Sequence, residues 1–166
     1  MKVGQREFHV FKRNGWRECV MTAAGILVGV GGVALLAFLT DMPFIIASFG
    51  SSAVLLYCAN QSPLAQPRNF LCSHFIAALI SITIVNLLGD GWYVGALCVL
   101  ATVLAMMFTD TVHPPAGATA LLIALQGTTD YAFLLCPLLP GVAIMFAAAL
   151  LSARIFPGVR PYPARK

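Results

Sequence analysis

The chain alternates long blocks of apolar residues with short polar connections. A bilayer core about 30 Å thick takes about 20 apolar residues per helix, with roughly 17 as the lower limit. Cys19–Leu39 and Phe70–Leu88 meet that length, Trp92–Thr109 suffices, and Tyr131–Ala153 is long enough to tilt. Two blocks are irregular. Pro43–Ala59 is barely long enough, and Ser48-Phe49-Gly50-Ser51-Ser52 is expected to break it. Pro114–Leu125 is too short to cross as a helix alone, and it opens with Pro114-Pro115 ahead of Gly117. Extended backbone rises about twice as fast per residue as helix, so a part-extended, part-helical segment still crosses. The pattern predicts an all-α membrane protein of six membrane segments, two of them broken.

Composition points the same way. Side chains are 60% apolar and 10% charged, against roughly 25% charged in a soluble domain. That excludes a soluble catalytic domain and leaves lipid as the solvent. One domain fits: a basic N-terminal segment at 1–18, a membrane domain at 19–156 and a basic tail at 157–166.

Charge sets the direction of the segments. Lys2, Arg6, Lys12, Arg13, Arg17, Arg68, Arg154, Arg160, Arg165 and Lys166 all fall on the termini or the even-numbered connections. Asp41, Asp90 and Asp130 sit on the odd-numbered ones. Positive charge marks the cytoplasm, so both termini are expected there. Were the two irregular segments re-entrant, four spans would remain and Arg68 would move outside. The net charge of +4 suits anionic headgroups rather than nucleic acid.

Glu7 and Glu18 precede the first apolar block and no small-residue cleavage site follows, so neither a signal nor a transit peptide is expected. Cys19, Cys58, Cys72, Cys98 and Cys136 form no C-x-x-C pair and read as small packing residues, with no metal or cofactor implied. Trp16, Tyr57, Trp92, Tyr93 and Tyr131 fall near span ends, as an aromatic belt requires. Asn86 and Gln126 read as interhelical polar contacts.

Two stretches resemble each other. Aligned on their glycines, Gly50-Ser51-Ser52-Ala53-Val54-Leu55 stands against Gly117-Ala118-Thr119-Ala120-Leu121-Leu122, each following an aspartate, Asp41 or Asp110. Three segments per unit would place two three-helix repeats in opposite orientations, each carrying a broken or half helix. Such repeats in secondary transporters bring discontinuous helices together near the midplane, where substrate binds. Small residues also serve close packing alone.

A helix that starts inside the membrane leaves amides needing partners, and its positive end favours a small anion. Gly50, Ser51, Ser52, His113, Gly117 and Thr119 are therefore the candidate binding residues. His113, held in irregular backbone by Pro114-Pro115, either accepts a proton in support of the anion or hydrogen-bonds locally. Asp110 is its partner in a proton relay or an interfacial cap. His74, one turn into the third span, faces a similar choice.

Asp110-Thr-Val-His113-Pro114-Pro115-Ala-Gly117-Ala-Thr119-Ala resembles the HPP family of integral membrane proteins. Phe49-Gly50-Ser51-Ser52-Ala53 and Ser62-Pro63-Leu64-Ala65-Gln66-Pro67-Arg68-Asn69 also fit its pattern, over roughly Glu18 to Phe156. The resemblance implies a transporter or channel for nitrite or another small anion; no enzymatic activity is expected, and the lack of a transit peptide points to a bacterial inner membrane rather than a plastid. The alternative is a structural or regulatory subunit that transports nothing. An intramembrane hydrolase using Ser51 or Ser52 with His113 lacks the G-x-S-x-G elbow. Six short segments leave little scaffold around a central site, so a homo-oligomer is expected.

Overall fold

A computed structural model describes residues 16–41, 45–89, 91–155 and 161–164. The N-terminal segment before Trp16, Met42–Phe44, Asp90 and the tail charges Arg160, Arg165 and Lys166 lie outside the described residues.

Within them the protein is all-helical. Six α-helices follow one another: α1 Trp16–Thr40, α2 Ile45–Ala53, α3 Pro67–Leu88, α4 Val94–Phe108, α5 Pro115–Gln126 and α6 Leu138–Ile155. Three stretches are long and apolar enough to cross a bilayer: Cys19–Thr40, Pro67–Leu88 and Tyr131–Ile155. The last is not one helix. A 3₁₀ turn at Tyr131–Leu134 precedes α6, because Pro137 cannot donate an amide and interrupts the ladder. α4 has 15 residues and α5 has 12, about 22 Å and 18 Å of helix, so each falls short of an apolar core of about 30 Å.

The first irregular segment departs from expectation. No break occurs at Ser48–Ser52: α2 runs through Gly50 and Ser52, then widens into a π-helical turn at Val54–Cys58. Serine and glycine lower helix propensity in water, but a membrane offers the backbone no competing partner. Ser51 donates back to the Ser48 carbonyl at 2.9 Å and stays in the helix. Gly50 is thus a helix-interior residue and not a helix start. The second irregular segment begins as its prolines dictate, with Pro115 as the first residue of α5.

α1 and α4 end alike. Thr40 donates to the Leu36 carbonyl and Thr109 to the Ala105 carbonyl, both at 2.8 Å. The aspartates that follow both turn left-handed, Asp41 at φ 57° and Asp110 at φ 53°.

α1 packs on α6 and α2, α3 on α4 and α5, α4 on α5, and α2 meets α5 and α6 in the middle. Tyr57, expected in the aromatic belt, is instead buried. Its ring fills the notch over Gly25 and Gly29 of α1, and its hydroxyl donates to the Met145 carbonyl at 3.5 Å. Only Cys98 among the cysteines packs in the core; the other four face outward.

Two ends of the bundle are recognisable. At one, Arg68 donates to the Thr109 carbonyl and Asn69 to the Val112 carbonyl. There the 161–164 tail also docks: Tyr162 donates to the Ala65 carbonyl and the Ala164 amide to Gln66 Oε1. At the other, Asn86 donates to the Thr129 carbonyl and Thr83 meets the Tyr131 hydroxyl. The α2–α3 connection, the α4–α5 connection and the tail therefore share a side, as alternating segments require.

Candidate functional site

Where α2, α3 and α5 converge, the apolar interior holds a continuous chain of polar side chains. Ser48 and Ser52 lie one turn apart on α2 and face the same way. Thr119 stands one turn into α5. His74 projects from α3, and His113 from the three residues before α5, where Pro114 and Pro115 keep it out of helix.

The contacts run in sequence. His113 Nδ1 lies 2.8 Å from the Leu64 carbonyl, and its Nε2 lies 3.0 Å from Ser52 Oγ. Ser52 Oγ is also 3.1 Å from His74 Nε2, whose other nitrogen, Nδ1, is 2.9 Å from Thr119 Oγ1. Thr119 is 2.6 Å from Ser48 Oγ, and Ser48 donates to the Pro115 carbonyl at 3.1 Å. Both imidazoles are 0% exposed. Phe49 and Phe70 flank His74, and Phe70 flanks His113, at ring-centroid distances of 5.3–5.4 Å.

Magnitudes show how constrained this group is. Leaving one buried polar atom unpartnered costs about 1–3 kcal/mol. The two imidazole centroids are 5.3 Å apart, so charging both rings would set like charges repelling by roughly 3 kcal/mol at an effective dielectric of about 20. The set accommodates polarity readily and double charge poorly.

Of the residues expected at the site, Ser52, His113 and Thr119 join this chain. Ser51 does not; it faces outward and bonds within its own helix. Gly50 and Gly117 have no atom within 4 Å of where a Cβ would sit, so neither is required by packing. Asp110 does not reach His113: its side chain is 95% exposed and lies 3.9 Å from Arg68.

The half-helix anion site is likewise not formed. The amides of Ala116 and Gly117 already donate to the His113 and Pro114 carbonyls at 3.0 Å, and Gly50 lies inside α2. The donors facing the centre are hydroxyls and ring nitrogens.

Ser48 and His74 are central but were not among the expected binding residues. The i, i+4 spacing of Ser48 and Ser52 was the signal for the first. For the second, the glycine alignment already superposes Ser52 on Thr119, the two hydroxyls that hold His74 from either side.

A model of the HPP transmembrane region matches residues 11–163. The chain is 37% identical to a transmembrane protein of Dictyostelium discoideum over 130 residues, covering 74% of this chain and 45% of the relative. It is 38% identical to a second transmembrane protein of the same organism over 127 residues, covering 72% and 40% respectively. The chain thus spans less than half the length of these relatives. No solved structure matches it.

Proposed function

The chain belongs to the HPP transmembrane family, and from that premise we propose that it carries a small inorganic anion, nitrite foremost, across a membrane through its buried polar centre. The observation that carries this reading is the hydrogen-bonded chain Ser48–Thr119–His74–Ser52–His113, set among α2, α3 and α5. A protein that only needed to pack would be served by apolar residues there, and polar groups inside a membrane protein mark substrate or ion pathways. No lysine or arginine takes part, so an anion would meet neutral or transiently charged donors and leave again.

An inverted pair of three-helix units is part of the proposal. Its support is the matched Thr40-Asp41 and Thr109-Asp110 endings. Exchanging α1, α2, α3 for α4, α5, α6 also turns each main helix contact into another observed contact. Under that exchange Ser52 and Thr119 are counterparts gripping His74 from opposite sides. In this arrangement both termini are cytoplasmic and the protein works as a homo-oligomer.

Ser52, His113 and the Leu64 carbonyl also stand in the order of nucleophile, base and orienting acceptor. Transport is favoured over hydrolysis because Ser52 is 0% exposed and the Ala116 and Gly117 amides at the start of α5 already have acceptors, so neither is free to serve an oxyanion.

The test is flux of nitrite, nitrate, formate and chloride into proteoliposomes holding the full chain, with a pH gradient imposed in either direction. Nitrite uptake is expected to follow the inward proton gradient. His113→Gln, which cannot titrate, is expected to remain folded and to flatten the pH dependence. Absence of flux for all four anions in both gradient directions would overturn the proposal in favour of a non-transporting subunit.

A further inference from the structure

The polar centre has a proton count that its geometry fixes. Six contacts link five side chains between two backbone carbonyls, Leu64 at one end and Pro115 at the other. Each contact needs one proton. The carbonyls supply none, and each serine, threonine and neutral imidazole supplies one. With both rings neutral, five protons face six contacts, and one contact stays unfilled.

A carbonyl only accepts, so His113 Nδ1 carries hydrogen toward Leu64 at one end and Ser48 donates to Pro115 at the other. Ser52, His74 and Thr119 then supply three protons to the four contacts that remain. The vacancy falls inside the chain, among those four.

We propose that Ser48, Thr119, His74, Ser52 and His113 form a proton wire that takes up one excess proton, shared by the two imidazoles, and no second. A proton added to His74 makes both of its ring nitrogens donors, to Ser52 and to Thr119, and all six contacts are then filled. The charge reaches His113 by one relay. His74 Nε2 gives its proton to Ser52 Oγ as Ser52 gives its own to His113 Nε2. The six contacts remain filled, and only N–H and O–H bonds are exchanged. A second proton would have no contact left to fill and would place two cations on rings 5.3 Å apart.

No other charge intervenes among the described residues bonded to or stacked on the rings. α2 contributes Ser52 and Phe49, α3 contributes Phe70, and α5 contributes Thr119. The Pro63–Ala65 turn gives only the Leu64 carbonyl. Asp110 and Arg68 pair with each other at the surface, while the Tyr57 and Tyr162 hydroxyls bond to the Met145 and Ala65 carbonyls.

Removing any one hydroxyl deletes one proton and two contacts, which balances the neutral chain and abolishes the vacancy. The count does not depend on the cargo: a protein that carries no anion would still take up this proton.

The test is nitrogen-15 NMR of histidine-labelled full chain in lipid nanodiscs as pH falls from about 8 to about 3, with helicity followed by circular dichroism. At the alkaline end His113 is expected as the Nδ1–H tautomer, since Nδ1 faces the Leu64 carbonyl. On acidification both rings are expected to shift together in one step that totals a single proton. Ser52→Ala and the isosteric Thr119→Val are each expected to lose that shared step. Two independent protonations, His113 as the Nε2–H tautomer at the alkaline end, no uptake by a folded wild type, or an unchanged shared step in either folded variant would overturn the proposal. Should both variants fail to fold, the wild-type His113 tautomer and proton total decide it.

Discussion

A methyl group at position 141 tests how tightly the centre is held. A Cβ there would lie 2.7 Å from Cε2 and 3.0 Å from Cζ of Phe49. That ring is fully buried and cannot simply retreat. Its centroid is 5.3 Å from that of His74, and His74 is fixed at both ring nitrogens. Overpacking of this kind costs about 1–3 kcal/mol, and alanine recovers up to about 1 kcal/mol of helix propensity. Gly141→Ala is thus expected to destabilise by roughly 1–2 kcal/mol, a factor of about 5–30 in the folded-to-unfolded ratio. Phe49→Leu removes both clashing ring carbons, so in its background the added methyl should cost little. Reversible unfolding in nanodiscs of the two single variants and the double variant gives the coupling. Strict additivity, or a Gly141→Ala protein as stable as wild type, would refute the packing argument.

Three further outcomes follow from the same geometry. Gly50→Ala and Gly117→Ala have room for the methyl and should each stabilise by up to about 1 kcal/mol; a fall in anion flux alongside higher stability would assign these glycines to the cargo path. A cysteine at position 68 in intact cells should resist an impermeant external thiol reagent in a background lacking the outward-facing cysteines, and its modification would reverse the proposed orientation. Burial pushes the Tyr162 phenol above its ordinary value of about 10, so its contribution to tail docking is intact below that value and is lost as pH rises through the raised one. Protection of the Ala164 amide, measured relative to its base-catalysed intrinsic exchange, should therefore hold from neutrality upward, collapse only in strong alkali, and be weak at every pH in Tyr162→Phe.

The apolar blocks disclosed the all-helical membrane architecture and the long spans because hydropathy and length act residue by residue. Pro114-Pro115 fixed the start of α5 for the same local reason. The expected break at Ser48–Ser52 failed because propensities learned in water overstate what glycine and serine do where the backbone has no other partner. Tyr57 was misplaced because its wedge depends on Gly25 and Gly29, a pairing that no local pattern reveals. At the centre, Ser52, Thr119 and His113 were visible through the glycine alignment and the His-Pro-Pro run. His74 drew less weight because its significance comes from hydroxyls on two other helices. Asp110 attracted attention by proximity in sequence, yet its left-handed backbone turns it toward Arg68 and solvent.

The glycines of α1 bear on how copies of this chain can meet. Small-residue ridges are the usual means by which one membrane helix approaches another closely. Here Gly25 and Gly29 are covered by Tyr57, and Gly32 sits against Ile144 with only 2.8 Å to spare for a Cβ. That ridge is consumed within the protomer. A neighbour approaching α1 from the lipid would meet Leu27, Val28, Leu35 and Phe38, all more than half exposed. Between such surfaces, protein and lipid chains offer nearly the same dispersion contacts. Self-association along α1 would then respond to acyl-chain length and packing more than to any single residue, and bilayer composition would act as its control.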